Sequence, residues 1–408
     1  MNATATFEPR YATRASRMRS SEIRELLKLL DQPGLIAFAG GIPDPELFPV
    51  DELKTAYAEI LSSPKVAAQS LQYSASEGYP PLRAWIARHM ASRGIVCAAD
   101  NIVVTNGSQQ ALEFLGRLFL SPKDTAIVEA PTYLGALQAF SANEPHYDTL
   151  RPQEGNRTPA SYREAAAAAG GAVKFAYVVP DFANPTGTTM SLDGRRRLLA
   201  LASDLDVPVL EDTAYAALRF EGNEIAPLQA LDLDECGGID RSRVIYLGTF
   251  SKTLTPGLRV GWICAAAPLI RRLVLIKQAA DLNSPGINQM VMHRVAASTY
   301  ETQVAKARVH YLAKRDAMLA ALERHMPAGV NWTKPEGGLF VWATLPAHID
   351  TAALLQRAVS ESQVAFVPGH AFFADGTGRN TMRLSYSLPS ADQITEGVAL
   401  LAGLLSRA

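Results

Sequence analysis

Between Asn101 and about Ala265 the chain alternates short β-branched runs with stretches whose apolar residues recur at helical spacing. The strand candidates are Ile102–Thr105, Ala126–Glu129, Ala176–Val179, Val207–Glu211, Val244–Gly248 and Val260–Cys264. Segments such as Gln109–Leu120 and Leu192–Asp206 read as helices between the earlier ones. Such alternation predicts an α/β fold, a mostly parallel sheet covered on both faces. In sheets of this kind ligands sit beyond the carboxyl ends of the strands. The residues just after these runs are therefore where chemistry is expected.

A different pattern follows Gln289. A long helical stretch from Met290 to about His325 leads to strand candidates Val330–Trp332, Leu339–Thr344, Val364–Val367 and Thr381–Tyr386, with helices at Thr351–Ser360 and Ala391–Leu405. We read this as a smaller α+β domain, in keeping with a chain of 408 residues, which exceeds a usual single core. The expected division is an N-terminal arm and helix over 1–47 packing with the small domain, a large domain over 48–295 and a small one over 296–408. The helix of the arm is expected at Ser21–Leu30, ahead of the Gly40–Pro43 turn.

Composition narrows the function classes. A formal net charge of −1 calls for neither nucleic acid nor an anionic membrane as partner. No apolar run reaches the roughly 18–20 residues that span a bilayer. Cys97, Cys236 and Cys264 lack any metal-ligand spacing and read as free thiols of a reducing compartment, which points to the cytoplasm.

Several strand ends carry reactive residue types. Asn101-Ile-Val-Val-Thr-Asn-Gly-Ser-Gln is a strand, a tight turn at Gly107 and a helix start, where free N–H groups and the dipole favour an anion. Pro180-Asp-Phe-Ala-Asn-Pro-Thr-Gly follows the next strand but one. Leu210-Glu-Asp-Thr-Ala-Tyr closes another, and Tyr246-Leu-Gly-Thr-Phe-Ser-Lys leads into Thr253-Leu-Thr-Pro-Gly-Leu-Arg. Taken singly these are a capped turn, a Pro-Gly turn, a loop-capping carboxylate and a solvated lysine. Taken together, Asn184, Asp212 and Lys252 occupy successive strand ends of one sheet.

This order and spacing resemble the class I/II aminotransferases of pyridoxal-phosphate (PLP) fold type I, and within them the 2-aminoadipate, kynurenine and aromatic aminotransferase subgroup. The likeness runs from about Ser20 to Ser387. It includes Leu71-Gln-Tyr-Ser-Ala-Ser-Glu-Gly-Tyr-Pro, Glu129-Ala-Pro-Thr-Tyr-Leu-Gly, Pro335-Glu-Gly-Gly, Val367-Pro-Gly and Thr381-Met-Arg-Leu-Ser. The resemblance implies a seven-stranded, mostly parallel sheet in the large domain, with PLP as cofactor.

It also implies roles. Lys252 would bond the cofactor and then move the proton released at the substrate Cα. Asp212 would pair with the pyridinium nitrogen, keeping the ring an electron sink. Asn184 and Tyr215 would hydrogen-bond the phenolic oxygen, and Tyr133 would stack on the ring. Ser108, Gln109, Thr249 and Arg259 would take the phosphate. Arg383 would clamp the substrate α-carboxylate, a task suited to a planar guanidinium. Tyr73 would reach the phosphate of a neighbouring subunit, which implies a homodimer with shared active sites. Arg24 would read a distal carboxylate, and Gly41 would line the substrate pocket.

The chain departs from the family pattern at Thr213 and Ala214, at Asn283-Ser-Pro and at His370, positions that bear on substrate rather than cofactor. The expected reaction is a ping-pong exchange: an amino acid (2-aminoadipate, aromatic or branched-chain) leaves its amino group on the enzyme, and a 2-oxo acid, 2-oxoglutarate foremost, collects it. A β-lyase or decarboxylase on the same fold is the alternative. A ligand-sensing regulator would need a DNA-binding module ahead of the domain, and only about twenty residues precede the first expected helix.

Overall fold

The computed structural model describes residues 7, 10–17, 34–153 and 155–407. The expected Ser21–Leu30 helix, with Arg24, lies outside them. The alternating segment forms one seven-stranded sheet in the spatial order Ile102–Thr105, Gly261–Cys264, Val244–Thr249, Val209–Asp212, Val173–Val178, Thr125–Glu129, His146–Leu150. Gly261–Cys264 runs antiparallel to both its neighbours, and every other pairing is parallel. The inner strands are buried along nearly their whole length, as a sheet covered on both faces requires.

The seventh strand, His146–Leu150, was not among the sequence candidates. Its residues are mostly polar and only Leu150 is buried: it is one of the sheet's two outer strands and, unlike Ile102–Thr105 at the other edge, is not covered on both faces. The other strands match their candidates to within a few residues. Helix starts are set by local chemistry. The hydroxyls of Ser191 and Ser390 and the carboxylate of Asp350 accept first-turn N–H groups, and Ser390 with Gln393 makes a reciprocal capping box.

The long helix is Gly286–His325, 40 residues and therefore about 60 Å long. Its first part, through Val304, packs into an apolar cluster with Leu82, Ile86 and Met90 of the Pro80–Ser92 helix. From Ala307 onward it joins the cluster that contains Ile394, Val398 and Leu401 of the final helix. One rigid rod thus carries both cores. Beyond it lies an antiparallel sheet in the order Val367–Pro368, Thr381–Ser385, Phe340–Thr344, Asn331–Trp332. The single strand expected at Val364–Val367 is two. Val364–Ala365 pairs in parallel with Ile36–Ala37, whereas Val367–Pro368 joins the antiparallel sheet. The chain changes partners at Phe366, whose side chain is buried between them.

A buried carboxylate holds an arginine that reaches the Glu336 loop. Asp181 Oδ1 accepts from Arg195 Nη2 at 2.8 Å and from Arg219 Nη2 at 3.2 Å, and Arg219 Nη1 reaches Glu336 at 3.1 Å. Arg195 has no exposed surface. Removing one partner of a buried pair leaves uncompensated charge. Asp181→Ala is therefore expected to lower stability by about 3–5 kcal/mol, read as a fall in the denaturant midpoint. A midpoint unchanged from wild type would show that solvent or another anion serves Arg195.

Candidate active site

The carboxyl ends of the central strands open into a cleft of about 300 Å³. It is lined by residues from both units, among them Ser108, Gln109, Tyr133, Asn184, Asp212, Tyr215, Thr249, Lys252, Arg259, Gly41 and Arg383. Eleven sequence-expected site residues are thus brought together. Of the other two, Tyr73 is 80% exposed and does not line its own chain's cleft, and Arg24 lies outside the described residues.

Asp212 ends the Val209–Asp212 strand and is buried. Successive side chains on a strand face opposite ways, so its neighbour Glu211 points elsewhere. Glu211 accepts the N–H groups of Leu228 and Gln229 at 2.7 and 2.9 Å, at the start of the Leu228–Cys236 helix. Asp212 Oδ2 accepts from the Tyr177 hydroxyl at 3.0 Å, while Oδ1 is buried without a partner. Burial pushes the Asp212 pKa up to about 6, against the opposing effects of Tyr177, the Ala214 N–H and the Lys252 charge. An acceptor with no donor at the floor of a cleft fits a ligand that brings its own N–H. A protonated pyridine ring does so.

Lys252 follows the Val244–Thr249 strand and donates from Nζ to the Gly41 carbonyl at 2.9 Å. Burial draws its pKa down to about 8; the charges of Arg383 and Arg259 act the same way, and Asp212 opposes them. An amine so placed is a free nucleophile over a usable range of pH. On the opposite wall Arg383 is buried. Its Nη1 donates to Asn184 Oδ1 at 2.8 Å and its Nη2 to the Ala39 carbonyl at 2.7 Å, while Nε has no partner. The rings of Phe340 and Phe372 lie 4.4 and 5.1 Å from its guanidinium carbon. Among the described residues no carboxylate pairs with it, and burial lowers its pKa to about 10. Asn184 Nδ2 faces the Tyr215 hydroxyl at 3.5 Å, and burial raises the Tyr215 pKa, keeping that phenol a donor.

The anion end is built on the Ser108–Phe119 helix, which starts after Gly107 with no side-chain cap and so leaves first-turn N–H groups for a ligand. Gly107 has φ +79°, and a Cβ there would run into the Arg259 guanidinium. Thr249 Oγ1 donates to Ser251 Oγ at 2.9 Å, and Arg259 Nη1 donates to the same Ser251 oxygen at 3.4 Å. The Gln109 side chain is otherwise engaged, donating to the Gly135 carbonyl at 2.7 Å and accepting from Tyr133 at 3.3 Å, so its contribution to an anion is its backbone N–H. At Gly41 a Cβ would stand 2.7 Å from the Phe340 ring, which is why that wall is a glycine.

Sequence reasoning missed Tyr177, Ser251 and Ile42. Tyr177 had a readable signal, a phenol in an apolar strand whose hydroxyl must find a partner. Asn283, singled out as a departure, donates to the Ser284 carbonyl and does not line the cleft.

An electron-withdrawing ring, a phosphate and an amino-acid carboxylate would each meet its complement here, which defines the class as PLP enzymes of fold type I. Comparison with known proteins agrees. The family model for "Aminotransferase class I and II" matches residues 36–401. The aromatic-amino-acid aminotransferase 1 of Thermococcus litoralis is 44% identical over 98% of this chain and 94% of its own. The kynurenine aminotransferase of Pyrococcus horikoshii, solved with pyridoxamine phosphate, superposes with a TM-score of 0.90 at 42% identity, covering 99% and 98% of the two chains. The α-aminoadipate aminotransferase of Thermus thermophilus, solved with a phosphopyridoxyl-leucine adduct, gives 0.88 at 39%, covering 99% of each. The chain belongs to the class I and II aminotransferases, and its cofactor is pyridoxal phosphate.

The lowered Lys252 pKa gives a pH expectation. Only the unprotonated amine attacks the cofactor's aldehyde, so the rate at which apoenzyme takes up PLP should rise with pH through about 8. Removing a positive neighbour makes protonation easier, so Arg383→Leu should move that midpoint upward. Stopped-flow absorbance across pH measures both; a midpoint that stays put in Arg383→Leu means the two charges do not interact.

Proposed function

We propose that this aminotransferase takes 2-aminoadipate, an aromatic or a branched-chain amino acid as donor and 2-oxoglutarate as acceptor, in a ping-pong exchange. The observation that carries it is Arg383, a buried guanidinium with a free Nε and no carboxylate partner among the described residues. An α-carboxylate completes it, and the amino group of the same molecule then lies toward Lys252. The similarity to aromatic, kynurenine and α-aminoadipate aminotransferases supports this range of donors.

In this reading Asp212 Oδ1 would accept from the ring nitrogen, Asn184 and Tyr215 would hold the phenolic oxygen, and Tyr133 would stack on the ring. Ser108, Thr249, Ser251, Arg259 and the Gln109 N–H take the phosphate. Bound there, PLP supplies an electron sink for negative charge at the substrate Cα. Lys252 Nζ, with its pKa near 8, would take the Cα proton and deliver it to the C4′ carbon of the cofactor. Asp212, ionised above about 6, keeps the ring nitrogen protonated. Gly41 and Ile42 wall the substrate side chain, and Arg24 remains the candidate for a distal carboxylate.

Purified holoenzyme titrated with a panel of amino acids should lose its long-wavelength cofactor band with true donors and regain it with 2-oxoglutarate. Formation of ammonia, or of carbon dioxide, without that recovery would favour a lyase or decarboxylase. Lys252→Ala should lose at least the roughly 10²–10⁴-fold that general acid–base catalysis contributes. Borohydride reduction of wild type followed by peptide mass spectrometry should find the cofactor on Lys252 and no other lysine.

We further propose a cytoplasmic homodimer in which Tyr73 completes the phosphate site of the partner subunit. Tyr73 and Leu71 are exposed, at 80% and 70%, and so is Leu282 at 55%. The segments that carry them adjoin, since a Cβ on Gly286 would lie 2.9 Å from the Ser70 carbonyl. Adjoining exposed apolar groups of this kind suit an interface. Sedimentation should give a dimer, and Tyr73→Phe should weaken PLP binding by about tenfold if one charged hydrogen bond is lost. A fully active monomer would rule out the shared site.

A further inference from the structure

Behind the phosphate cradle sits a charged cluster that none of the roles above uses. Lys277 is fully buried. Its Nζ donates to Asp281 at 2.9 and 3.1 Å, to Ser284 Oγ at 3.0 Å and to Gln110 Oε1 at 3.3 Å. Asp281 Oδ2 accepts in addition from Asn106 Nδ2 and from Gln110 Nε2, both at 2.8 Å. Gln110 Oε1 accepts from the Asn106 N–H at 2.9 Å. Asn106 is thus held by its side chain and by its backbone amide. Its carbonyl accepts from Arg259 Nη2 at 3.2 Å, and the next residues are Gly107 and Ser108.

Burial pulls the Lys277 pKa below the ordinary lysine value, and the hydrogen bond and charge of Asp281 oppose it. Such a pair is weak support for stability, because apolar residues of like volume often pack as well or better. What it provides that apolar residues cannot is a fixed acceptor for two amides at once. Those two amides flank the turn on which the anion end is built.

We propose that Lys277 and Asp281 are positioning residues for the cofactor's phosphate: through Asn106 and Gln110 they fix the Asn106–Ser108 turn, and through the Asn106 carbonyl they aim Arg259. The proposal rests on the assignment of Ser108 and Arg259 to that phosphate made above.

The test compares binding of PLP and of pyridoxal, which lacks the phosphate, to apoenzyme, followed by absorbance and by quenching of intrinsic fluorescence. Lys277→Met and Asp281→Asn should weaken PLP by about tenfold or more, as for lost hydrogen bonds to charged groups, and pyridoxal by less than about twofold. Arg259→Ala should show the same phosphate-selective loss. Equal loss of both ligands in Arg259→Ala would overturn the phosphate assignment itself. Selective loss in Arg259→Ala but equal or no loss in the Lys277 and Asp281 variants would overturn the positioning role alone. Should single variants unfold, Lys277→Met/Asp281→Leu removes both charges. Folded double variant is expected to lose the preference for PLP over pyridoxal, and retention of the wild-type preference would overturn the proposal.

Discussion

A carboxylate, an ammonium and a guanidinium share one cleft, and among the described residues none has an ion-pair partner of its own. Asp212, Lys252 and Arg383 instead shift toward one another's range, to about 6, 8 and 10. Water would relieve that tension by solvating each group. The fold denies it, burying Asp212 and Arg383 and supplying few hydrogen bonds, from Tyr177 to the first and from the second to Asn184 and Ala39. Each group keeps one unsatisfied valence: Oδ1 on Asp212 and Nε on Arg383. The large sheet fixes the carboxylate and the lysine, and the small sheet fixes the guanidinium.

This division explains what was legible in the sequence. Asn184, Asp212 and Lys252 follow or end inner strands, where a buried apolar run announces the strand and the polar residue after it announces the edge of the sheet. Asp212 rather than Glu211 faces the cleft, but periodicity alone leaves that choice open, since both are buried and the strand has two faces. The strand His146–Leu150 gave no apolar run to read. The break at Phe366 was hidden for the opposite reason: Val364 to Val367 is uniformly apolar, and only the two different pairing partners divide it. The roles given to Gly41 and Arg383 came from resemblance. No local pattern could bring residues 342 positions apart to one wall.

The anion end shows a second limit. Gly107 and Ser108 stand out as a strand–turn–helix signal, and Arg259 as a charge after a loop. Asn106, Gln110, Lys277 and Asp281 do not, because each alone is an ordinary polar residue of a turn or helix. Their meaning lies in hydrogen bonds between the start of the Ser108–Phe119 helix and the end of the Ala267–Ala280 helix. Asp281 also sits beside the Asn283-Ser-Pro stretch that departs from the family pattern, and the Ser284 hydroxyl oxygen there accepts from Lys277 Nζ.

In the proposed reading, cofactor and substrate meet residues carried largely by different sheets. The cofactor residues sit on the large sheet and its first helix. The substrate wall is the Gly40–Asp44 segment, whose anchor is Asp44: its carboxylate accepts from His310 Nε2 at 2.9 Å and Lys314 Nζ at 2.5 Å, and its N–H donates to the Tyr311 hydroxyl at 2.9 Å. Those three partners lie on the long helix beyond Ala307, in the part packed with the final helix. Arg383 belongs to the same unit through the Thr381–Ser385 strand. That part of the helix shares one apolar cluster with Tyr177, Leu210 and Leu247 of the large sheet, so repacking there reaches the strand ends as well. The substrate wall is set by contacts between segments far apart in the chain, and this is why residue types at strand ends point to the cofactor and leave the donor to be read from packing.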